Sequence, residues 1–177
     1  AFGENRVQEL EVKYEALPKD IEWHLVGHLQ RNKVKYIAPF VHLIHAVDSL
    51  RLLKEIEKQG KRFDRKISCL LQLKIATEDS KFGMEVEDIK ALLESEDFKN
   101  MEYVKVEGLM GMASFTEDEE QVRQEFTKIK NLYNELKDEY DFNTLSIGMS
   151  GDYPIAIEEG STMIPVGSAI FGQRDYD

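Results

Sequence analysis

Cysteine is nearly absent from this chain. Cys69 is the single thiol in 177 residues, so no disulfide can form within it, and the sequence reads as that of a cytoplasmic protein kept reduced. It lies in an apolar run, 67–73, where a buried core thiol is expected. No apolar stretch reaches the roughly 18 residues that a membrane-spanning helix needs, and no signal peptide is visible. Basic charge is scarce: 23 Lys and Arg stand against 34 Asp and Glu, a net of −11. That balance argues against nonspecific binding to nucleic acid or an anionic membrane, and fits a solvated acidic surface. No low-complexity linker divides the chain, so residues 1–177 are expected to form one domain with a real core.

What is present is an alternation. Short apolar runs fall at Phe2 and over 21–26, 43–47, 67–75, 106–112, 145–147 and 163–166, about seven expected strands. Between them apolar residues recur at helical spacing. Val7, Leu10, Tyr14 and Leu17 form one such face, stopped by Pro18. Asn32 is placed to cap a short helix ended by Pro39, and Gly60 to close a helix carrying Leu50, Leu53 and Ile56. Thr116 and Glu119 have the spacing of a capping box. The helix they would open carries Val122, Phe126, Ile129, Tyr133 and Leu136 on one stripe.

Strict alternation implies a parallel sheet, because each crossover needs a helix. An open doubly wound sheet and a (β/α) barrel both fit. In either, a site sits at the C-terminal strand ends. Polar residues collect there: Glu4 and Asn5, Gly27 and His28, Asp48 and Ser49, residues 77–83, residues 112–114, Met149 and Ser150, and Gly167 and Ser168.

Residues 144–174 organise the chain. Two apolar runs there lead into small-residue turns, Gly148-Met149-Ser150-Gly151 and Gly167-Ser168, with a short helical piece over 154–159 between them. Small residues after a strand let backbone N–H groups approach a ligand, and Ser adds a hydroxyl; phosphate is a common guest. Ordinary βα turns, in which glycine supplies only unusual φ angles, fit the same pattern.

The strand ends taken together resemble a family. FGENRVQE (2–9), WHLVGHLQRNK (23–33), HAVDS (45–49), SKFG (80–83), GLMGM (108–112), SIGMSGDYPIAIEEGSTM (146–163) and VGSAIFGQRDY (166–176) are similar, in order and spacing, to the pyridoxal phosphate homeostasis proteins. The resemblance implies an alanine-racemase-like (β/α)8 barrel that binds pyridoxal 5′-phosphate and manages its supply. It implies a non-catalytic protein, without the second domain of the related racemases and decarboxylases; a racemase- or decarboxylase-like enzyme is the alternative. Apo enzymes that use the cofactor are the implied partners, and a monomer or weak dimer the expected state.

Residue by residue, Ser150 matches the family serine that bonds the phosphate, with the Met149 or Gly151 backbone beside it. Gly167 and Ser168 match the turn whose N–H groups hold the other phosphate oxygens. Asn5 matches the asparagine at the cofactor's edge. Two departures stand out. The family's Schiff-base lysine lies on a first strand upstream of FGEN, so it and the first βα unit are expected before Ala1. Pro165 stands where the family usually has an arginine facing the pyridine nitrogen, which removes a charged donor.

Other residues carry weaker signals. His24, His28, His42 and His45 could suggest a metal, but no cysteine pair accompanies them. Lys74 could serve as a replacement for the Schiff-base lysine, and Lys81 could cover the mouth; a solvated lysine is the plainer reading of each. Glu4, Asp48 and Asp152 could pair as acid and base, though Asp152 fits the start of the 154–159 helix better.

Overall fold

The computed structural model describes residues 1–77 and 82–172. Six strands form one sheet: β1 (Phe2–Glu4), β2 (Trp23–Leu25), β3 (Leu43–Val47), β4 (Ile67–Gln72), β5 (Val104–Gly111) and β6 (Thr144–Ile147). All are parallel, and each pairs with the one before it, in the order β1-β2-β3-β4-β5-β6. The order never reverses, so there is no switch point of the doubly wound kind. The sheet is also curled. His45 Nδ1 on β3 lies 3.0 Å from Ser146 Oγ on β6. Three strand steps across a flat sheet would separate them by about 14 Å. Of the two architectures left open by the alternation, the chain adopts the barrel type.

The helices are α1 (Val7–Ala16), α2 (Val34–Ile37), α3 (Leu50–Phe63), α4 (Val86–Glu94), α5 (Glu96–Lys99), α6 (Glu119–Tyr140), α7 (Tyr153–Glu158) and α8 (Ser168–Phe171). Strand residues alternate between two apolar layers. The larger includes Trp23, Leu25, Ile44, Cys69, Leu71, Leu145 and Ile147, packed with Phe126 and Ile129 of α6. The smaller layer is Leu43, Leu70 and Met110, with Met112 and Met163 against it. Burial on both faces explains why the strand runs lack polar alternation. Cys69 is wholly buried, and burial pushes its thiol pKa far up, with Glu107 adding to the effect.

Four local expectations are corrected. The seventh run, 163–166, forms no strand; only Met163 bridges to Ser146. The helix after β5 starts at Glu119, capped by Asp118, whose carboxylate accepts from Glu120 N at 3.1 Å and Gln121 N at 3.2 Å. Thr116 instead accepts from Asp118 N, one step earlier. Gly60 does not end its helix, which continues to Phe63 and closes on Asp64 at φ 50°. Gly60 is there for contact: a Cβ would lie 2.8 Å from Arg65 O and 2.9 Å from Tyr103 Cβ. Asn32 lies within a 3₁₀ turn, Arg31–Lys33, and caps nothing.

Candidate functional site

At the mouth formed by the C-terminal strand ends, β6 runs out into Gly148. Its φ is +87°, and a Cβ would stand 2.4 Å from Ala156 Cβ, so glycine both makes the turn and admits α7. Asp152 Oδ1 accepts the Met149 N–H at 2.6 Å, and Met149 O accepts from Tyr153 N at 2.9 Å. Pro154, in the first turn of α7, suits a position whose N–H has no helical partner. Arg123 on α6 fastens the far end of α7, donating to Glu158 at 2.6 Å and to Glu159 at 3.0 Å. Burial alone would raise the Glu159 pKa; hydrogen bonds from Arg123 and Thr127 and the charge of Lys130 outweigh it and hold it below the usual value.

The second arm starts from the same strand. Thr162 N donates to Leu145 O at 3.0 Å, and Thr162 Oγ1 accepts from Leu145 N at 2.8 Å. Met163 then bridges to Ser146, and the chain returns to the mouth at Gly167. There the arms meet. Ser150 Oγ accepts the Gly167 N–H at 3.3 Å and the Ala169 N–H at 3.2 Å. Among the described residues, a Cβ on Gly151 or Gly167 would meet nothing within 4 Å, so they leave the cradle open on that side. Its donors are one hydroxyl and two backbone amides, all neutral; the amides rest on Ser150 Oγ and become available to an anion when the hydroxyl turns aside. That donor set suits an anion with several oxygens, such as a phosphate ester.

The structure therefore joins Ser150 with Gly167, as their spacing suggested. It points the Ala169 amide, rather than that of Ser168, at the serine. Sequence reading missed Ala169; the signal available was the first turn of α8, where an amide one residue further on faces back. The Met149 N–H is turned to Asp152 and away from the cradle. Asn5 is exposed at the end of β1, and among the described residues no hydrogen bond joins it to the turn pair. Pro165 is half-buried on the second arm.

Within the curl lies a polar chain. His24 Nδ1 is 3.0 Å from His45 Nε2, and His45 Nδ1 is 3.0 Å from Ser146 Oγ. Burial, then the neighbouring His42, brings the His24 pKa down to about 4; burial, then His24, brings that of His45 down to about 3. Both are uncharged at neutral pH. His42 stacks on His24 with ring centres 5.5 Å apart. Among the described residues no group of three metal-ligating side chains converges. Glu107 accepts from Ser68 at 2.8 Å and pairs with Lys105 at 3.1 Å.

The candidate acids hold separate partners: Glu4 bonds Lys13, Asp48 bonds His28 at 3.2 Å, and Asp152 bonds Met149 N. Lys74 is half-buried just beyond β4, its N–H on Met84 O at 2.9 Å. Lys81 lies outside the described residues. Among the described residues no helix is long and apolar enough to cross a membrane.

Comparison with known proteins agrees with this geometry. The model of the family described as alanine racemase, N-terminal domain, matches residues 1–175. A pyridoxal phosphate homeostasis protein of Aquifex aeolicus is 43% identical over 178 residues, covering 99% of this chain and 77% of the relative. The solved structure of PipY from Synechococcus elongatus, with pyridoxal phosphate bound, is 32% identical with a TM-score of 0.84, over 97% of this chain and 81% of that one. An alanine racemase of Clostridium difficile is similar in fold alone, at 13% identity and a TM-score of 0.70, over 99% of this chain and 45% of its own. A matching family model along almost the whole chain, a relative above two-fifths identity and a curled parallel sheet of the same shape lead to one conclusion: the chain belongs to the pyridoxal phosphate homeostasis protein family, on the alanine racemase N-terminal fold.

Proposed function

We propose that this chain is a cytoplasmic binding and delivery protein for pyridoxal 5′-phosphate, with no turnover of its own. The observation that carries the reading is the convergence of the Gly167 and Ala169 amides on Ser150 Oγ beside open space. Ser150, Gly167 and Ala169, with the Ser168 backbone beside them, hold the phosphate; Met149 frames the turn, and Asn5 stands at the ring's edge. Bound, the cofactor supplies an aldehyde that combines reversibly with amines, a chemistry suited to being held and handed on. Neutral donors in a fixed cradle hold a dianion without a lysine clamp. The partners are apo enzymes that use the cofactor, and the protein acts as a monomer or weak dimer. PipY's bound pyridoxal phosphate supports the reading.

An enzyme of racemase or decarboxylase type is the second reading, favoured by the shared fold. Such an enzyme needs acid and base groups free to face the substrate. Glu4, Asp48 and Asp152 are each engaged elsewhere, which supports the carrier. No racemisation or decarboxylation of amino acids is expected with the cofactor supplied; measurable turnover overturns the assignment.

Ser150→Ala is expected to weaken binding of the phosphate ester by about 1.5–3 kcal/mol, the worth of a hydrogen bond to a charged group. Isothermal titration with pyridoxal 5′-phosphate checks it, and an unchanged affinity refutes the cradle. Pro165→Arg is expected to tighten binding by about 1–2 kcal/mol, by restoring a charged donor toward the pyridine nitrogen. The resemblance assigns the reactive lysine to none of Lys33, Lys74 and Lys81. Borohydride reduction and peptide mass mapping of the 177-residue chain should therefore find no pyridoxyl group on Lys33, Lys74 or Lys81. An adduct on any of them relocates the reactive amine.

A further inference from the structure

Ser146 stands at the root of both arms of the turn pair. Two residues along its own strand the chain enters Gly148; across the bridge to Met163, and four residues further, it enters Gly167. Ser146 is 1% exposed, and its hydroxyl bonds neither arm. It reaches instead across the inside of the sheet to His45 Nδ1, and His45 Nε2 reaches on to His24 Nδ1. The chain of side chains links β6 to β3 and β2 directly, bypassing β4 and β5.

We propose that the His24–His45–Ser146 chain is the positioning brace of the turn pair, fixing the common root of both arms against the β2–β3 wall. In this arrangement His45 and His24 act through Ser146. Two neutral imidazoles and a hydroxyl can be joined in only two directions. In one, Ser146 O–H donates to His45 Nδ1, His45 Nε2–H donates to His24 Nδ1, and His24 keeps a proton on its outer nitrogen. Burial and His42 outweigh the carboxylates of Glu22 and Glu107 and keep His24 neutral. This direction leaves every member bonded and none charged, which a brace at low dielectric requires.

The brace predicts a difference between two substitutions that a mere space-filling role does not. The amide of Asn lies near the place of imidazole Nδ1, and that of Gln near the place of Nε2. His45→Asn therefore keeps the link to Ser146, whereas His45→Gln keeps only the link to His24. In the ligand-free chain at pH 7.5, Ser146→Ala and His45→Gln are expected to move the backbone amide resonances of Gly148, Met149, Ser150, Gly167 and Ala169 together. They should also speed hydrogen exchange at Met163 at least tenfold. His45→Asn should leave these signals near the wild type.

Inorganic sulfate keeps its charge across the working pH range, and it provides the binding arm of the test, which rests on the proposed phosphate cradle. Its dissociation constant should rise at least fivefold in Ser146→Ala and His45→Gln, and stay within twofold in His45→Asn. Asn and Gln variants that behave alike, or turn amides unmoved by Ser146→Ala, overturn the brace. Wild-type protein that takes no sulfate at Ser150 and Gly167 overturns the cradle instead, while the amide comparison still decides the brace.

Discussion

Gly108→Ala is expected to remove the pairing of β5 with β6 and to destabilise the chain by at least about 3 kcal/mol. Gly108 has a φ of +156°, and a Cβ there would stand 1.8 Å from Thr144 O and 2.7 Å from Thr144 C. Those are backbone atoms of the facing strand, in register with Gly108, and cannot rotate aside. The neighbouring register tells why glycine is needed. Cys69 pairs with Val106 and Leu70 with Gly108, so Glu107 is passed over and bulges toward Ser68 and Lys105. A bulge sharpens the local bend, and the bend presses the next residue against β6. Urea unfolding followed by circular dichroism measures the loss. A variant within about 1 kcal/mol of the wild type would show that β6 can move away freely.

Stability is also expected to fall steeply in acid. His24 and His45 have folded-state pKa values of about 4 and about 3, against 6.5 when unfolded. Below pH 6.5 the unfolded chain takes up protons that the folded chain refuses. Their contribution is thus fully present above pH 6.5 and is lost as pH falls toward 4 and 3. Each histidine removes up to about 1.4 kcal/mol per pH unit in that window. One added proton can be accommodated in the hydrogen-bonded chain, by reversing its direction or by placing two donors on His45. Two protons set N–H against N–H between the rings.

Glu125 steepens the slope further down. Its carboxylate accepts from Ser114 N at 2.6 Å and Ser114 Oγ at 2.7 Å. Burial opposes these bonds but does not outweigh them, and its pKa is held below the usual 4.5. Its stabilisation is present above pH 4.5 and disappears as pH falls through its folded value. Urea midpoints at successive pH values test the account. The wild type should be level above pH 7 and lose stability from about 6 downward. A His24→Gln, His45→Asn double variant should lose far less over the same interval. Equal slopes would assign the acid lability elsewhere.

The alternation of apolar runs was enough to place the six strands, with a seventh that does not form, and the helices between them except α5 and α8, because burial on both faces leaves an unbroken apolar signature. Residues 43–47 were read to the residue. The closure of the sheet was not legible, since it depends on contacts between β3 and β6 that no local pattern records. The two turns were visible as small residues, and their meeting follows from the bridge at Met163. The direction of each amide was not visible. Met149 lost its N–H to Asp152, and Ala169 gained a place because the first turn of α8 faces Ser150. Gly60 shows the limit of reading punctuation by residue type. Glycine marks a helix end by its conformational freedom, but here it is selected by the absence of a side chain against Tyr103. The link between His24, His45 and Ser146 was not legible, because the curl that joins them is itself long-range.

Trp23 has an optical consequence. It is the sole indole of the chain, 1% exposed, its Nε1 buried without a hydrogen-bond partner among the described residues and its ring 6.0 Å from that of Phe2. An indole shielded from water emits at short wavelength, and no second tryptophan blurs the signal. It sits on β2 beside His24 and pairs with Phe2 on β1. Fluorescence therefore reports one edge of the sheet alone. A red shift that precedes the loss of circular dichroism would time the detachment of β1 from β2, separately from the collapse of the remaining strands.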